Sequence, residues 1–378
     1  MTLIILTAVL LPVWAYVLAM PWAAYRFSQR RIAAPAETPP ISVLKPLHGA
    51  ENGLAENLRS FVDQDYPTVQ TVLGVRSLED GAVPVAQAVI ASRPGSDITL
   101  VVDSRVNGSN LKVANLENML PAAHHELLVI ADSDMRVGRS YLAALAGPLQ
   151  DPTVGLVTCL YKGASTGGLW SDLGALHVNF GFLPSAVLGE AIGWGGGCFG
   201  ATLALRRKVL DRIGGFPRLR NELADDHRLG SAVRELGLTA VLSPYIVENR
   251  ITETSFLSLW RHELRWARTT RVMAPGGFAG SVVTHTMVIA LLAALAAEMG
   301  PLAMAFLVVS CLLRWGSAIG VARMLGLPLR RFWLLPVRDV LSFGVFVASF
   351  CGRSVLWRGQ LFKVDEGGRI TAEGDEPV

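Results

Sequence analysis

Leu127-Leu128-Val129-Ile130-Ala131-Asp132-Ser133-Asp134 carries five apolar residues that end abruptly in two carboxylates. An apolar run of this length fits a buried strand, and the carboxyl ends of strands are where an open α/β sheet collects its ligands. Acidic side chains at i and i+2 can share a divalent cation through hard oxygen atoms, leaving other coordination positions for phosphate. The same tripeptide also suits a turn or a helix cap. Its surroundings decide between these readings.

Outward from that run, residues 41 to about 248 alternate strand and helix signals. Strands are predicted at Ile41–Leu47, Gln70–Arg76, Ile98–Asp103, Leu127–Asp132, Gly155–Tyr161, Ala201–Leu205 and Thr239–Leu242. Helical stretches fall between several of them, at Gly53–Asp63, Val83–Ser92, Asn110–Met119 and Ser140–Leu149. Alternation of this kind predicts an α/β domain, a mostly parallel sheet with helices on its faces. A Pro/Ala linker, Ala33 to Pro40, precedes it.

Two further acidic sites accompany the first. Glu79-Asp80 follows the second strand, and Asp225-Asp226 opens a helical stretch. An Asp pair there either caps the helix and complements its dipole or supplies a carboxylate base. Lys112 lies on the Asn110–Met119 helix, either as a solvated charge or as a ligand to an anion. In Trp260-Arg261-His262-Glu263-Leu264-Arg265-Trp266-Ala267-Arg268, helical spacing groups Arg261, Arg265 and Arg268 on one face and Leu257, Trp260, Leu264 and Ala267 on another. Such a helix suits an anionic lipid surface, and the Arg265 guanidinium fork suits a diphosphate. His262-Glu263 is not a zinc-protease helix, because Trp266 stands where the second histidine belongs. The Gly195–Gly200 run matches GxGxxG, but it precedes a strand instead of joining a strand to a helix, so it reads as flexible backbone lining a cleft. His124-His125 reads as surface.

With 51% hydrophobic and 17% charged residues and a mean hydropathy of +0.40, the chain is too apolar to be wholly soluble. The excess sits at the two ends. Leu3 to Ala24 is long enough to cross a bilayer, and Arg26, Arg30 and Arg31 follow it. That charge order is the reverse of a cleaved signal peptide and puts the remainder of the chain on the cytosolic side. The block from Ser281 to Val355 divides into Val282–Ala297, Leu302–Val321 and Phe332–Phe350, read as three membrane segments. Arg314 and Asp339 inside it imply tilted, paired or re-entrant helices. A net charge of +3 without a basic stripe argues against nucleic acid as a partner. Four scattered cysteines form neither a disulfide framework nor a zinc motif.

Taken in order, Val43-Leu44-Lys45-Pro46-Leu47-His48-Gly49, Gln64-Asp65-Tyr66-Pro67, Asn110-Leu111-Lys112-Val113, Asp132-Ser133-Asp134, Leu223-Ala224-Asp225-Asp226 and Leu264-Arg265-Trp266 resemble one family throughout: the ceramide glucosyltransferase-like branch of GT-A-fold glycosyltransferases. Within it, Leu156–Tyr161 and Arg261–Arg268 look most like the bacterial hopanoid biosynthesis-associated enzymes. The resemblance implies a Rossmann-like GT-A domain and an inverting transfer, dependent on Mg²⁺ or Mn²⁺, from a UDP-sugar to a lipid hydroxyl at the cytosolic face of the inner membrane. It implies N-acetylglucosamine as the sugar and a hopanoid polyol such as bacteriohopanetetrol as the acceptor, with ceramide glucosylation as the alternative. By resemblance, Asp226 is the base with Asp225 beside it. Asp132 and Asp134 hold the metal, and Asp80, Lys112, Asp132, Arg265 and Trp266 serve the nucleotide. His262 departs from the family pattern, which has Gln or Arg at that position. The implied organisation is a transmembrane helix (1–25), a basic linker (26–40), the GT-A domain (41–253), an interfacial helix with the Arg-Trp motif (254–280), membrane segments (281–355) and a polar tail (356–378).

Overall fold

A computed structural model of the chain describes residues 2–372 other than Ala33, Gly195, Arg353, Arg358, Gly359 and Glu366; the first glycine of the Gly195–Gly200 run therefore lies outside the described residues, as does part of the tail. The chain forms two compact units. One comprises Arg31–Ala164, Gly196–Thr252 and Phe362–Val378; the other comprises Met1–Arg30, Ser165–Gly195 and Glu253–Leu361.

The first unit is built on eight strands: β1 (Ile41–Pro46), β2 (Val69–Val75), β3 (Asp97–Val102), β4 (Leu127–Ile130), β5 (Met135–Arg136), β6 (Val154–Ser165), β7 (Leu203–Arg206) and β8 (Thr239–Ile251). Their order is β3-β2-β1-β4-β7-β6-β8-β5. β1 runs parallel to β2 on one side and to β4 on the other, with Ile41 in register with Val69 and with Leu127. The chain winds outward from β1 to β3, then returns to lay β4 against β1. Between β1 and β4 the strand order reverses, and such a switch point opens a crevice at the carboxyl ends of the strands. Asp132-Ser133-Asp134 leaves β4 there.

Alternation fixes the two faces of the sheet. Val43, Val129 and Ala204 pack into a core with Phe61 and Tyr141. Their neighbours Leu44, Leu128 and Leu205 pack into another with Leu116 and Phe216. Each large buried side chain contributes about 1.5–3 kcal/mol. Both faces being covered explains why β4 reads as a continuous apolar run.

The sheet departs from the mostly parallel expectation beyond β4. β7 runs antiparallel to β4 and to β6, and β5 antiparallel to β8. β5 is too short to leave a periodic signal. The polar tail also contains order: Gln360–Val364 and Ile370–Ala372 pair antiparallel, with Phe362 opposite Ala372. Phe362, Val364 and Ile370 are buried, a period of two hidden among charges. This hairpin docks on the segment before Asp225: Leu223 N donates to Gly368 O (3.0 Å) and Ile370 N to Asn221 O (2.8 Å).

The second unit is helical. Thr2–Ser28, Pro301–Leu325 and Phe332–Ser349 are long and apolar enough to cross a membrane, and Pro275–Thr284 with Thr286–Ala296, bent by 70°, would make a fourth crossing. The N-terminal helix packs on Pro301–Leu325 through Trp14 Nε1 to Ser310 Oγ (2.8 Å) and Ser317 Oγ to Val17 O (2.7 Å). Arg314 and Asp339 are paired, with bonds of 3.0 and 2.9 Å. Leu169–His177, the π-helical turn Val178–Phe182 and Leu183–Ala191 are not announced by the sequence pattern, because Ser171, Asp172, His177 and Asn179 break up the apolar residues there.

Candidate functional site

Lys112 is the centre of the arrangement. Asn110 caps its helix, its side chain accepting from Lys112 N (3.0 Å) and Val113 N (3.1 Å) and donating through Nδ2 to Glu222 O (2.8 Å). One residue thus starts the helix and ties it to the segment leading into Asp225, a cap worth ~1 kcal/mol. Asn115 Nδ2 donates to Gly74 O on β2 (2.8 Å). A Cβ at Gly74 would lie 2.2 Å from Met119 Sδ, so the close packing of this helix needs the missing side chain.

So held, Lys112 Nζ reaches Asp132 Oδ1 at 2.7 Å and Asp225 Oδ2 at 3.5 Å. Burial acts to lower its pKa, but the carboxylates of Asp132, Asp225 and Asp226 outweigh burial and hold the ammonium above its ordinary value. Asp226 opens the helix Asp225–Glu235; its Oδ2 accepts from Gly200 N (2.8 Å) and its Oδ1 from His227 N (2.7 Å). Burial first, then the Asp225 charge, pushes Asp226 up to about 6 against the pull of Lys112. A Cβ at Gly200 would stand 3.2 Å from Asp226 Oδ2, 3.5 Å from Lys112 Nζ and 3.6 Å from Asp132 Oδ2. Three charged groups therefore converge on one glycine, and the signal for it lay in the Gly195–Gly200 run.

Asp134 is placed by the unforeseen strand. β5 sets Met135 opposite Asn249 of β8, whose Nδ2 donates to Asp134 Oδ2 (2.9 Å), while Arg250 N donates to Asp134 O (2.9 Å). Asp134 Oδ1 is buried with no hydrogen-bond partner. Burial, with Asp132 and Glu51 nearby, raises its pKa well above the carboxylate range. A buried anionic oxygen without a donor is what a hard cation satisfies. Asp132 offers a second carboxylate two residues away, so the residues present fit Mg²⁺ or Mn²⁺.

Lys45, Glu51 and Asn249 complete the setting and were not singled out from the sequence. Lys45 Nζ donates to Asp132 O (2.7 Å) and lies 3.5 Å above the Phe61 ring; burial lowers it to about 7. Its signal was a cation inside an apolar strand. Ser133 Oγ donates to Glu51 Oε2 (2.9 Å) and Asn57 Nδ2 to Ser133 O (3.1 Å), fixing the loop between the two aspartates.

Asp80 makes its contacts at the exits of β1 and β2. Its Oδ1 accepts from Gly49 N and Ala82 N, both at 2.8 Å, and His48 Nδ1 is 3.4 Å from Oδ2. It laces those two loops together. Arg265 and Trp266 belong to the helical unit, on the helix Phe256–Met273. That helix buries Leu259 and Glu263, while Leu257 is exposed and Trp260, Leu264 and Ala267 are half-buried. The Glu263 carboxylate receives both ends of the Arg338 guanidinium, at 2.7 and 2.8 Å. His262, the departure from the family pattern, bonds Glu253 through Nδ1 and packs edge-on against Trp266, with centroids 4.2 Å apart. Arg268 and Arg271 donate to backbone carbonyls of Cys351 (2.6 Å) and Gly352 (2.8 Å), so Arg268, grouped in the sequence on the face suited to anionic lipid, joins Arg271 in fastening the segment after the helix Leu335–Ser349.

Comparison with known proteins agrees with this geometry. The family profile "Glycosyl transferase family 21" matches residues 4–370. Ceramide glucosyltransferase 1 of Caenorhabditis elegans is 21% identical over 395 aligned positions, covering 96% of this chain and 80% of that protein. Ceramide glucosyltransferase 3 of the same organism is 22% identical over 267 positions, covering 69% of this chain and 56% of that protein. Among solved structures, a mannosyltransferase from Pyrobaculum calidifontis in complex with GDP-mannose and Mn²⁺ superposes with a TM-score of 0.53 at 19% identity, covering 93% of this chain and 99% of that one. The fold is GT-A, and the chain belongs to glycosyl transferase family 21, enzymes that move a sugar from a nucleotide-sugar donor.

Proposed function

We propose that this chain is a membrane-bound, inverting glycosyltransferase that transfers a sugar from a UDP-sugar to a lipid hydroxyl. The observation that carries this reading is the meeting of Asp132, Asp225 and Asp226 around Lys112 beside the unpartnered Asp134 oxygen. Binding alone does not call for the carboxylates of Asp225 and Asp226 in addition to a metal pair. Asp226, held by two backbone N–H groups, takes the proton of the acceptor hydroxyl as that oxygen attacks the anomeric carbon. The bond from that carbon to the diphosphate oxygen breaks on the opposite face, so the configuration inverts and UDP departs. Asp134 and Asp132 would hold Mg²⁺ or Mn²⁺, which supplies neutralisation of charge on the diphosphate when bound. Lys112 orients Asp132 and Asp225 through its contacts with both carboxylates. Arg265, with Trp266 beside it, is the candidate for gripping the phosphates, and Asp80 holds the loops that border the nucleotide.

For the acceptor, the names of the C. elegans relatives support a lipid, as do three helices able to cross a membrane. The Arg261–Arg268 and Leu156–Tyr161 segments favour N-acetylglucosamine transfer to a hopanoid polyol such as bacteriohopanetetrol at the cytosolic face of the inner membrane. Ceramide glucosylation is the second reading, favoured by the relatives' names.

The test is purified protein incubated with several UDP-sugars against a hopanoid polyol and a ceramide, with products read by mass. Asp226→Asn should lower transfer by about 10²–10⁴-fold while UDP-sugar binding survives. An active Asn variant removes Asp226 as the base, and UDP release unaffected by any lipid rejects the lipid acceptor.

A further inference from the structure

The rim of the sheet opposite the Lys112 cluster holds a second constellation. β3 begins at Asp97, in register with Gln70 of β2, which is in register with Ser42 of β1. His124-His125 stands just ahead of β4, at the same amino-terminal ends of these parallel strands. His124 Nε2 lies 3.2 Å from Asp97 Oδ2, and the two imidazole centroids are 4.3 Å apart. One ligand atom from each of Asp97, His124 and His125 falls within 4.8 Å of the others.

The positions of the two histidines are built from below. Ser42 and Gln70, 0% and 1% exposed, are polar residues inside otherwise apolar strands. Ser42 Oγ donates to Gln70 Oε1 (2.6 Å), which also accepts His124 N (3.1 Å), while His125 N donates to Ser42 Oγ (3.1 Å). Gln70 Nε2 donates to Ala122 O (2.8 Å). Two buried side chains thus fix the backbone of both adjacent histidines and of Ala122, two residues ahead of them.

We propose that Asp97, His124 and His125 form a binding site for a borderline divalent transition-metal ion of the Zn²⁺ class, separate from the carboxylate site at the opposite rim. Two imidazoles and one carboxylate suit Zn²⁺ and leave a position for water, whereas Mg²⁺ and Mn²⁺ prefer all-oxygen sets such as Asp132 and Asp134. The ion would bind the first residue of β3 to the lead-in of β4 across two intervening strands, and so stabilise the folded sheet by mass action. This site does not depend on the proposed transfer reaction.

The test uses the full-length protein in detergent, stripped of metal and held in millimolar Mg²⁺ so that the carboxylate site is occupied. Zn²⁺ is titrated in competition with a chromophoric chelator, and the melting temperature is followed alongside. One Zn²⁺ per chain should bind and raise the melting temperature. Asp97→Asn, at an exposed side chain, and the double variant His124→Gln with His125→Gln should each weaken binding at least ~10-fold and lose the thermal shift, whereas Asp134→Ala keeps both. Should the double variant fail to fold, by near-ultraviolet circular dichroism, Asp97→Asn decides alone. Zinc bound with unchanged stoichiometry and affinity in Asp97→Asn, or no zinc bound by the parent protein, overturns the proposal.

Discussion

Replacing Lys112 by Met removes a cation that contacts both Asp132 and Asp225 in the carboxylate cluster, at little cost in volume. Its Nζ sits 2.7 Å from Asp132 and 3.5 Å from Asp225, and its charge opposes the burial that raises Asp226. An opposite charge within about 4–6 Å lowers a carboxyl pKa by about 1–3 units. Without it, Asp226 should move from about 6 toward roughly 7–9. A base works when ionised, so activity rises with pH through this value. At pH 7 the ionised fraction should drop from about nine-tenths to between about one-half and one-hundredth. The assay is kcat/KM for sugar transfer against pH, at saturating divalent metal. The acid limb should lie near pH 6 in the parent and at least ~1 unit higher in the variant, with much of the rate recovered above that limb. Breaking a buried ion pair also costs about 3–5 kcal/mol of stability, read as a lower melting temperature. A uniform loss of rate with an unmoved acid limb would refute the electrostatic coupling of Lys112 to Asp226.

Asp134→Ala should weaken Mn²⁺-dependent UDP binding by at least ~10-fold, and an unchanged metal titration takes Asp134 off the ligand set. Gly200→Ala places a methyl 3.2 Å from Asp226 Oδ2. Crowding of ~1–3 kcal/mol should cost on the order of 10-fold in kcat/KM, and parental kinetics would show that the loop yields. Glu263→Gln leaves the Arg338 charge uncompensated and should destabilise by about 3–5 kcal/mol, whereas Glu263→Leu combined with Arg338→Met should recover most of it. A double variant that melts as low as the single one contradicts the pairing.

The central strands were legible because β4, buried on both faces, must be apolar throughout and must then break sharply where Asp132 meets the crevice. Asp225-Asp226 was legible as a helix start, and Lys112 as a charge on a helix. What brings them together was not. Asn249 meets Asp134 through β5, a strand of two residues whose pairing spans more than a hundred positions in the chain. Lys45 and Glu51 act through short contacts to the loop around Ser133, and no local spacing announces such contacts. The role of Glu263 was not legible, since a period of 3.6 cannot reveal that the facing helix supplies Arg338.

The Glu263–Arg338 and Arg314–Asp339 pairs bear on how this chain enters a bilayer. Leu335–Ser349 carries Arg338 and Asp339 side by side, and each charge at a helix centre disfavours partition by roughly 2.5–3.5 kcal/mol. A ribosome finishes Glu263 and Arg314 before it reaches that helix, so the receiving groups already exist when the last span emerges. Insertion of this segment should therefore follow, and depend on, assembly of the earlier ones. Shortening the nascent chain so that it lacks Glu263 and Arg314 should leave Leu335–Ser349 stranded outside the lipid.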